Sequence, residues 1–186
     1  MNASADRGGR HYAPPLFVER SEYASPAELY KDPFLKASEK EMLSETLRTF
    51  DRARELHGGP LVINSGRRSL AHQLELKEAG FRTASFSPHC FGAALDVKVP
   101  QGWTDEDLAS LIYDAAERLA LPAPRVGMLD YRKAPKDPEQ PATRFQLADG
   151  KFSSTFVHFD FVFLLKGYIE GVPASIWNSW REGVSW

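Results

Sequence analysis

The chain of 186 residues has one cysteine, Cys90. An intrachain disulfide framework is therefore excluded, and cysteine usage leaves the compartment undecided. Neither sign of charge dominates: 23 Lys and Arg face 25 Asp and Glu, giving a formal net charge of -2. With the signs mixed along the chain there is no basic stripe to neutralise a phosphate backbone, so nucleic acid is not an expected partner. The first ten residues, Met1 to Arg10, have no apolar core. They read as neither a signal peptide nor a membrane span, so the expectation is a chain that starts in the cytoplasm and has no membrane span. No internal repeat or linker divides the sequence. A 42% hydrophobic and 26% charged composition suits one ordinary domain, long enough to bury a real core. The expected organisation is a polar lead-in over 1–24 and a single domain over 25–186, acting as a monomer.

Local signals divide that domain into elements. Ser25-Pro26-Ala27-Glu28 is a capped helix start that Pro33 must end. Ser38 to Glu41 repeats the capping box, and a helix is expected from Glu39 to His57, with Leu43, Leu47, Phe50 and Arg54 on one face and Gly58-Gly59 closing it. Leu61-Val62-Ile63 reads as a buried strand ending at Asn64-Ser65-Gly66. Arg67 and Arg68 follow where strand turns to helix, a place that aims side chains into clefts, although an isolated Arg-Arg pair at a turn reads as solvated. A helix over Ser69 to Ala79 stacks Leu70, Gln73, Leu74 and Lys77, with Gly80 as its cap. Gly92 to Val99 alternates as a strand, and Thr104 starts a helix with a Leu108, Leu111, Ile112, Ala115 and Leu119 stripe.

Arg125 to Tyr131 is a further strand, residues 132–143 form an exposed proline-rich loop, and Phe145 to Leu147 with a turn at Asp149-Gly150 makes a hairpin arm. Thr155 to Leu165 is apolar on both faces and reads as the central buried strand. A short helix around Ser175 to Trp180 follows, and Trp177, Trp180 and Trp186 are expected to pin the tail to the domain.

The chemistry concentrates in two stretches, Ser87 to Asp96 and Val157 to Asp160. A catalytic zinc usually takes three protein ligands and keeps one position open. His89, Asp96 and His158 would supply two neutral nitrogens and one anionic oxygen, leaving the ion net positive and able to acidify water. Alternation puts Asp96 on the face of the small residues Gly92 and Ala94, which leaves room over it. His158 and Asp160, two apart, share a side of their strand. Burying both is costly unless each has a partner, and a metal with hydrogen-bonded outer groups would provide one. Cys90 could ligate in place of a histidine, but a buried apolar thiol is its commoner role.

Ser65-Gly66-Arg67-Arg68-Ser69 with His72-Gln73, then Ser87-Pro88-His89 with Gly92, Ala94 and Asp96, then Val157-His158-Phe159-Asp160, resembles the zinc D-Ala-D-Ala carboxypeptidase family. The L-alanyl-D-glutamate endolysins and the Hedgehog signalling domain are its relatives. The likeness runs from about Leu61 to Leu164, and its middle motif is the most specific part. It implies an α+β fold whose mostly antiparallel central sheet has helices packed on one side and a zinc site in a cleft on its floor. It implies one Zn2+ on His89, Asp96 and His158, and Arg68 as the residue orienting the substrate. The implied reaction is hydrolysis of an amide bond in a peptidoglycan stem peptide, in the periplasm or cell wall, by water that the metal activates.

The sequence departs from the family where a general base usually stands, a few residues before the last ligand. Thr155 and Phe156 occupy those positions. Asp160 and His72 are the other candidates for that role, with Asp160 also fitting the role of orienting a ligand. Arg67 replaces the usual aromatic. Three readings follow: a zinc peptidase, a zinc-containing but inactive binding module of the Hedgehog kind, and a structural protein without metal.

Overall fold

A computed structural model describes residues 12–79, 86–129, 145–146 and 152–183. Its centre is a four-stranded antiparallel sheet built from β3 (Ile63–Ser65), β4 (Ala94–Lys98), β5 (Arg125–Leu129) and β8 (Phe156–Asp160), in the order β3-β4-β8-β5. Two further strand pairs stand apart from it: β1 (Phe17–Val18) with β2 (Met42–Leu43), and β6 (Phe145–Gln146) with β7 (Phe152–Ser153). The helices are α1 (Pro26–Leu29), α2 (Ser44–His57), α3 (Leu70–Glu78), α4 (Asp105–Arg118) and α5 (Ala174–Ser179). The expected α+β class and antiparallel sheet are present, with β8 central as its apolar run required.

Alternation gives the sheet two unlike faces. Leu95, Val97, Val126, Val157 and Phe159 join Leu47 and Phe50 of α2 and Leu108 and Ile112 of α4 in one buried cluster. The intervening residues carry the polar groups. Register places Ser65, Asp96, His158 and Gly127 in a row across the four strands. The next row holds Ala94, Asp160 and Arg125.

Local chemistry explains most element ends. Ser25 and Glu28 form the reciprocal capping box of α1, and Thr104 and Asp107 that of α4. Gly58 closes α2 in the left-handed conformation, at φ 71°, where a side chain would be strained.

Several expectations need correction. The helix expected from Glu39 begins at Ser44, because Met42 and Leu43 pair instead with Val18 and Phe17 and the Leu43 amide donates to Gly92 O at 2.8 Å. Val62 is 51% exposed, since β3 lies at the sheet's edge and the run at Leu61 to Ile63 is buried only on alternate residues. Leu70 and Leu74 are exposed and Gln73 is the buried residue of α3. The strand expected to reach Leu165 ends at Asp160, whose Oδ1 accepts the Val162 amide at 3.1 Å and turns the chain into a 3-10 helix over Val162–Leu165. This is the side-chain-to-backbone competition that ends strands at aspartate. Of the lead-in, residues from Tyr12 onward include β1, and Tyr12 packs on Phe163. Gly80, Asp130, Tyr131, the loop over 132–143, Asp149, Gly150 and Trp186 lie outside the described residues.

Candidate metal centre

His89 sits in a 3-10 turn over Pro88–Phe91, between α3 and β4. Two glycines allow that turn to seat. Gly92 closes it at φ 69°, and a Cβ there would lie 2.8 Å from Glu41 O. A Cβ on Gly66 would lie 2.3 Å from Leu29 O, so only glycine lets the β3 exit approach α1 this closely. Gly66 O in turn accepts the His89 Nδ1–H at 2.7 Å. Asp96 and His158 come from adjacent strands and stand directly opposite one another.

Ligand atoms of His89, Asp96 and His158 all lie within 4.8 Å of one another, and all three residues are buried. His89 Nε2 is 3.2 Å from Asp96 Oδ1 and 3.2 Å from His158 Nδ1, and His158 Nδ1 is 2.8 Å from the same Oδ1. The far nitrogen of each ring faces a group that can only accept: Gly66 O for His89, and Asp160 Oδ2, at 3.0 Å, for His158. Those outer bonds place each ring's proton on its far nitrogen. Two lone pairs and a carboxylate then converge on one point, and Asp96 Oδ2 is buried with no hydrogen-bond partner. Such a convergence demands a cation. A proton meets the demand in part: burial lowers the His158 pKa, but hydrogen bonds to Asp160 and Asp96 outweigh it and raise it to about 9. Burial pushes His89 down despite Asp96 beside it. Burial would raise the Asp96 pKa, yet the facing histidines hold its carboxyl well below the usual range. One anionic and two neutral donors with an unpaired carboxylate oxygen fit a three-ligand metal site.

Arg68 is buried, correcting the solvated reading of the arginine pair. Its Nη1 donates to Gln73 Oε1 at 2.8 Å and its Nη2 to Ser65 Oγ at 3.0 Å. Arg67 is partly buried, with its Nη1 2.5 Å from Cys90 O and its Nε 3.1 Å from Glu39 O. Arg68 and His72 line one pocket of about 140 Å³ together with Lys31, Asp32, Asn64, Ser65 and Gly66. His89, Asp96 and His158 do not line this pocket, which is linked to them through Gly66, whose carbonyl holds His89. His72 Nδ1 lies 3.7 Å from a Glu75 carboxylate oxygen. Asp160 is fully buried, spanned by His158 Nε2, the Val162 amide and Arg125. Cys90 is turned away, its Sγ 3.8 Å from Ser69 O, and burial pushes its thiol up to about 11.

Sequence reasoning passed over Arg125, a buried cation whose Nε lies 3.2 Å from Asp160 Oδ1. A charge opening an otherwise apolar strand was the available signal, since a buried cation must be paired. The role of Gln73 was equally hidden, because helical spacing had assigned it to a stripe.

A family model described as Peptidase M15 matches residues 21–118, more than half of the chain. Nothing among the curated proteins or the solved structures matches. The matched stretch contains Arg68, His72, His89 and Asp96. His158 and Asp160 lie beyond it and reach the site through the pairing of β4 with β8.

Proposed function

The chain belongs to the peptidase M15 family, and on that premise we propose that it is a zinc-dependent peptidase hydrolysing an amide bond in peptidoglycan stem peptides. His89, Asp96 and His158 would hold one Zn2+. The observation that carries this reading is the convergence of two histidine lone pairs and a half-unpaired buried carboxylate. When bound, the ion supplies Lewis acidity that polarises the scissile carbonyl and acidifies water.

The chain's own residues do the rest. Gly66 O and Asp160 hold the two imidazoles with their bare nitrogens facing inward. Gln73 and Ser65 each accept from one Arg68 guanidinium nitrogen, leaving its charge to orient a substrate carboxylate or carbonyl in the adjoining cleft. Asp160 has its oxygens committed to His158, Arg125 and the Val162 amide, which suits an orienting role. His72, on the cleft wall, is the proposed proton acceptor.

Thr155 and Phe156 favour one second reading, a zinc-containing module that binds its peptide without cleaving it. Metal analysis should find one zinc per chain, and chelation should lower the melting temperature. Absence of zinc with stability indifferent to chelator would end the metal reading. Mass spectrometry of muropeptides incubated with the zinc-loaded protein separates the rest: cleavage supports the peptidase, and intact muropeptides support the binding module.

A further inference from the structure

We propose that Arg125 is a positioning residue of the metal centre, holding Asp160 in the orientation that aims His158 at the point of convergence. This rests on the reading of His89, Asp96 and His158 as metal ligands.

Arg125 opens β5 directly opposite Asp160, and both are buried. Its Nε lies 3.2 Å from Asp160 Oδ1 and donates to Oδ2 at 3.3 Å. Oδ2 is the same oxygen that accepts the His158 Nε2–H at 3.0 Å. The far end of the guanidinium is also held, because Nη1 donates to Ser179 O at the end of α5 at 3.3 Å. A carboxylate gripped from the β5 side cannot swing away from His158 without breaking a buried ion pair, and the imidazole cannot rotate without losing its acceptor.

The anchor on α5 reaches the other histidine by a separate route. Trp180, next to Ser179, packs edge-on against Phe91 at 6.1 Å between ring centroids, and Phe91 ends the turn that carries His89. The Gly183 amide donates to Ala123 O at 3.0 Å, two residues before Arg125. The segment over 174–183 therefore braces the supports of both rings, although it and Arg125 lie outside the stretch matched by the family model.

The test is zinc titration against a competing chelator in purified full-length protein, with Co2+ as a second probe whose visible bands report ligand geometry. Arg125→Met should weaken zinc several-fold, less than the roughly 10- to 100-fold that follows loss of a group bonded directly to a ligand, as Asp160 is, and should shift the Co2+ bands. Arg125→Lys, which keeps the charge, should recover most of the affinity. Phe50→Leu, in α2, should lower the melting temperature and leave zinc affinity and the Co2+ bands unchanged. A folded Arg125→Met protein with wild-type zinc affinity and Co2+ bands overturns the inference and assigns Arg125 to stability alone. If Arg125→Met does not fold, Arg125→Gln is read in its place, with a loss of several-fold supporting the inference and no loss overturning it. A wild-type chain that takes up no metal overturns the metal reading itself, and this inference with it.

Discussion

The two faces of the central sheet are built from the same strands and do opposite things. On one face Leu95, Val97, Val126, Val157 and Phe159 pack into the cluster shared with α2 and α4. On the other, Asp96, His158, Asp160 and Arg125 hold one another by hydrogen bonds and charge. Apolar burial is non-directional and tolerates small shifts, whereas the polar face depends on atom placement to tenths of an ångström. Because residues alternate, a slip of one position would send every charged group into the helices and every apolar one to the site. The packed face thus stabilises the register, and the register sets the distances on the polar face.

His158 and its neighbour Phe159 separate the two roles most sharply. His158→Ala should lose more zinc affinity than the roughly 100-fold that follows loss of an outer partner, as read by chelator competition, while the fold persists. Phe159→Ala should destabilise by about 3–5 kcal/mol in denaturant unfolding, with zinc affinity per folded molecule unchanged. Metal retained in His158→Ala would break the comparison.

Arg68→Ala sharpens it within the polar side. Its guanidinium is held by Gln73 and Ser65, and its bond to His89 O runs through the backbone amide, which the substitution keeps, so the variant should keep its zinc and lose about 100-fold or more in kcat/KM, the size expected for one positioned donor. Equal loss of metal would place Arg68 in the metal site instead.

The smallest effect concerns Asp32, which joins the cleft wall to α3. Burial would raise its pKa, but the Ser69 and Phe34 amides, donating at 2.6 and 2.8 Å, hold it below the ordinary value. A depressed folded pKa contributes stability above the unfolded value of about 4, and that contribution disappears as pH falls through the folded value. Asp32→Asn should therefore cost about 1 kcal/mol near pH 7 and progressively less below pH 4. A pH-independent difference in unfolding free energy would show that the carboxylate charge is not what the amides recognise.

Legibility in the sequence followed the range of the cause. Caps and periodicity located α1, α4 and the end of α2, because those depend on residues three or four apart. The start of α2 was misplaced because Met42 and Leu43 answer to Phe17 and Val18, far away along the chain. Helical spacing stacked Leu70, Gln73, Leu74 and Lys77 together without saying which of them faces inward, because nothing local says that α3 turns Gln73 toward Arg68 and leaves both leucines exposed.

By itself the sequence determined which groups were available and which shared a side of each strand: Asp96 with Ala94, and His158 with Asp160. Strand alternation is a property of the backbone and needs no partner. Only the tertiary structure decided that Asp96 stands opposite His158, that Gly66 O meets His89 Nδ1, and that Arg125 clasps Asp160. Those contacts depend on which strands become neighbours and in what register, and that choice is made by burying the apolar face of the whole sheet at once.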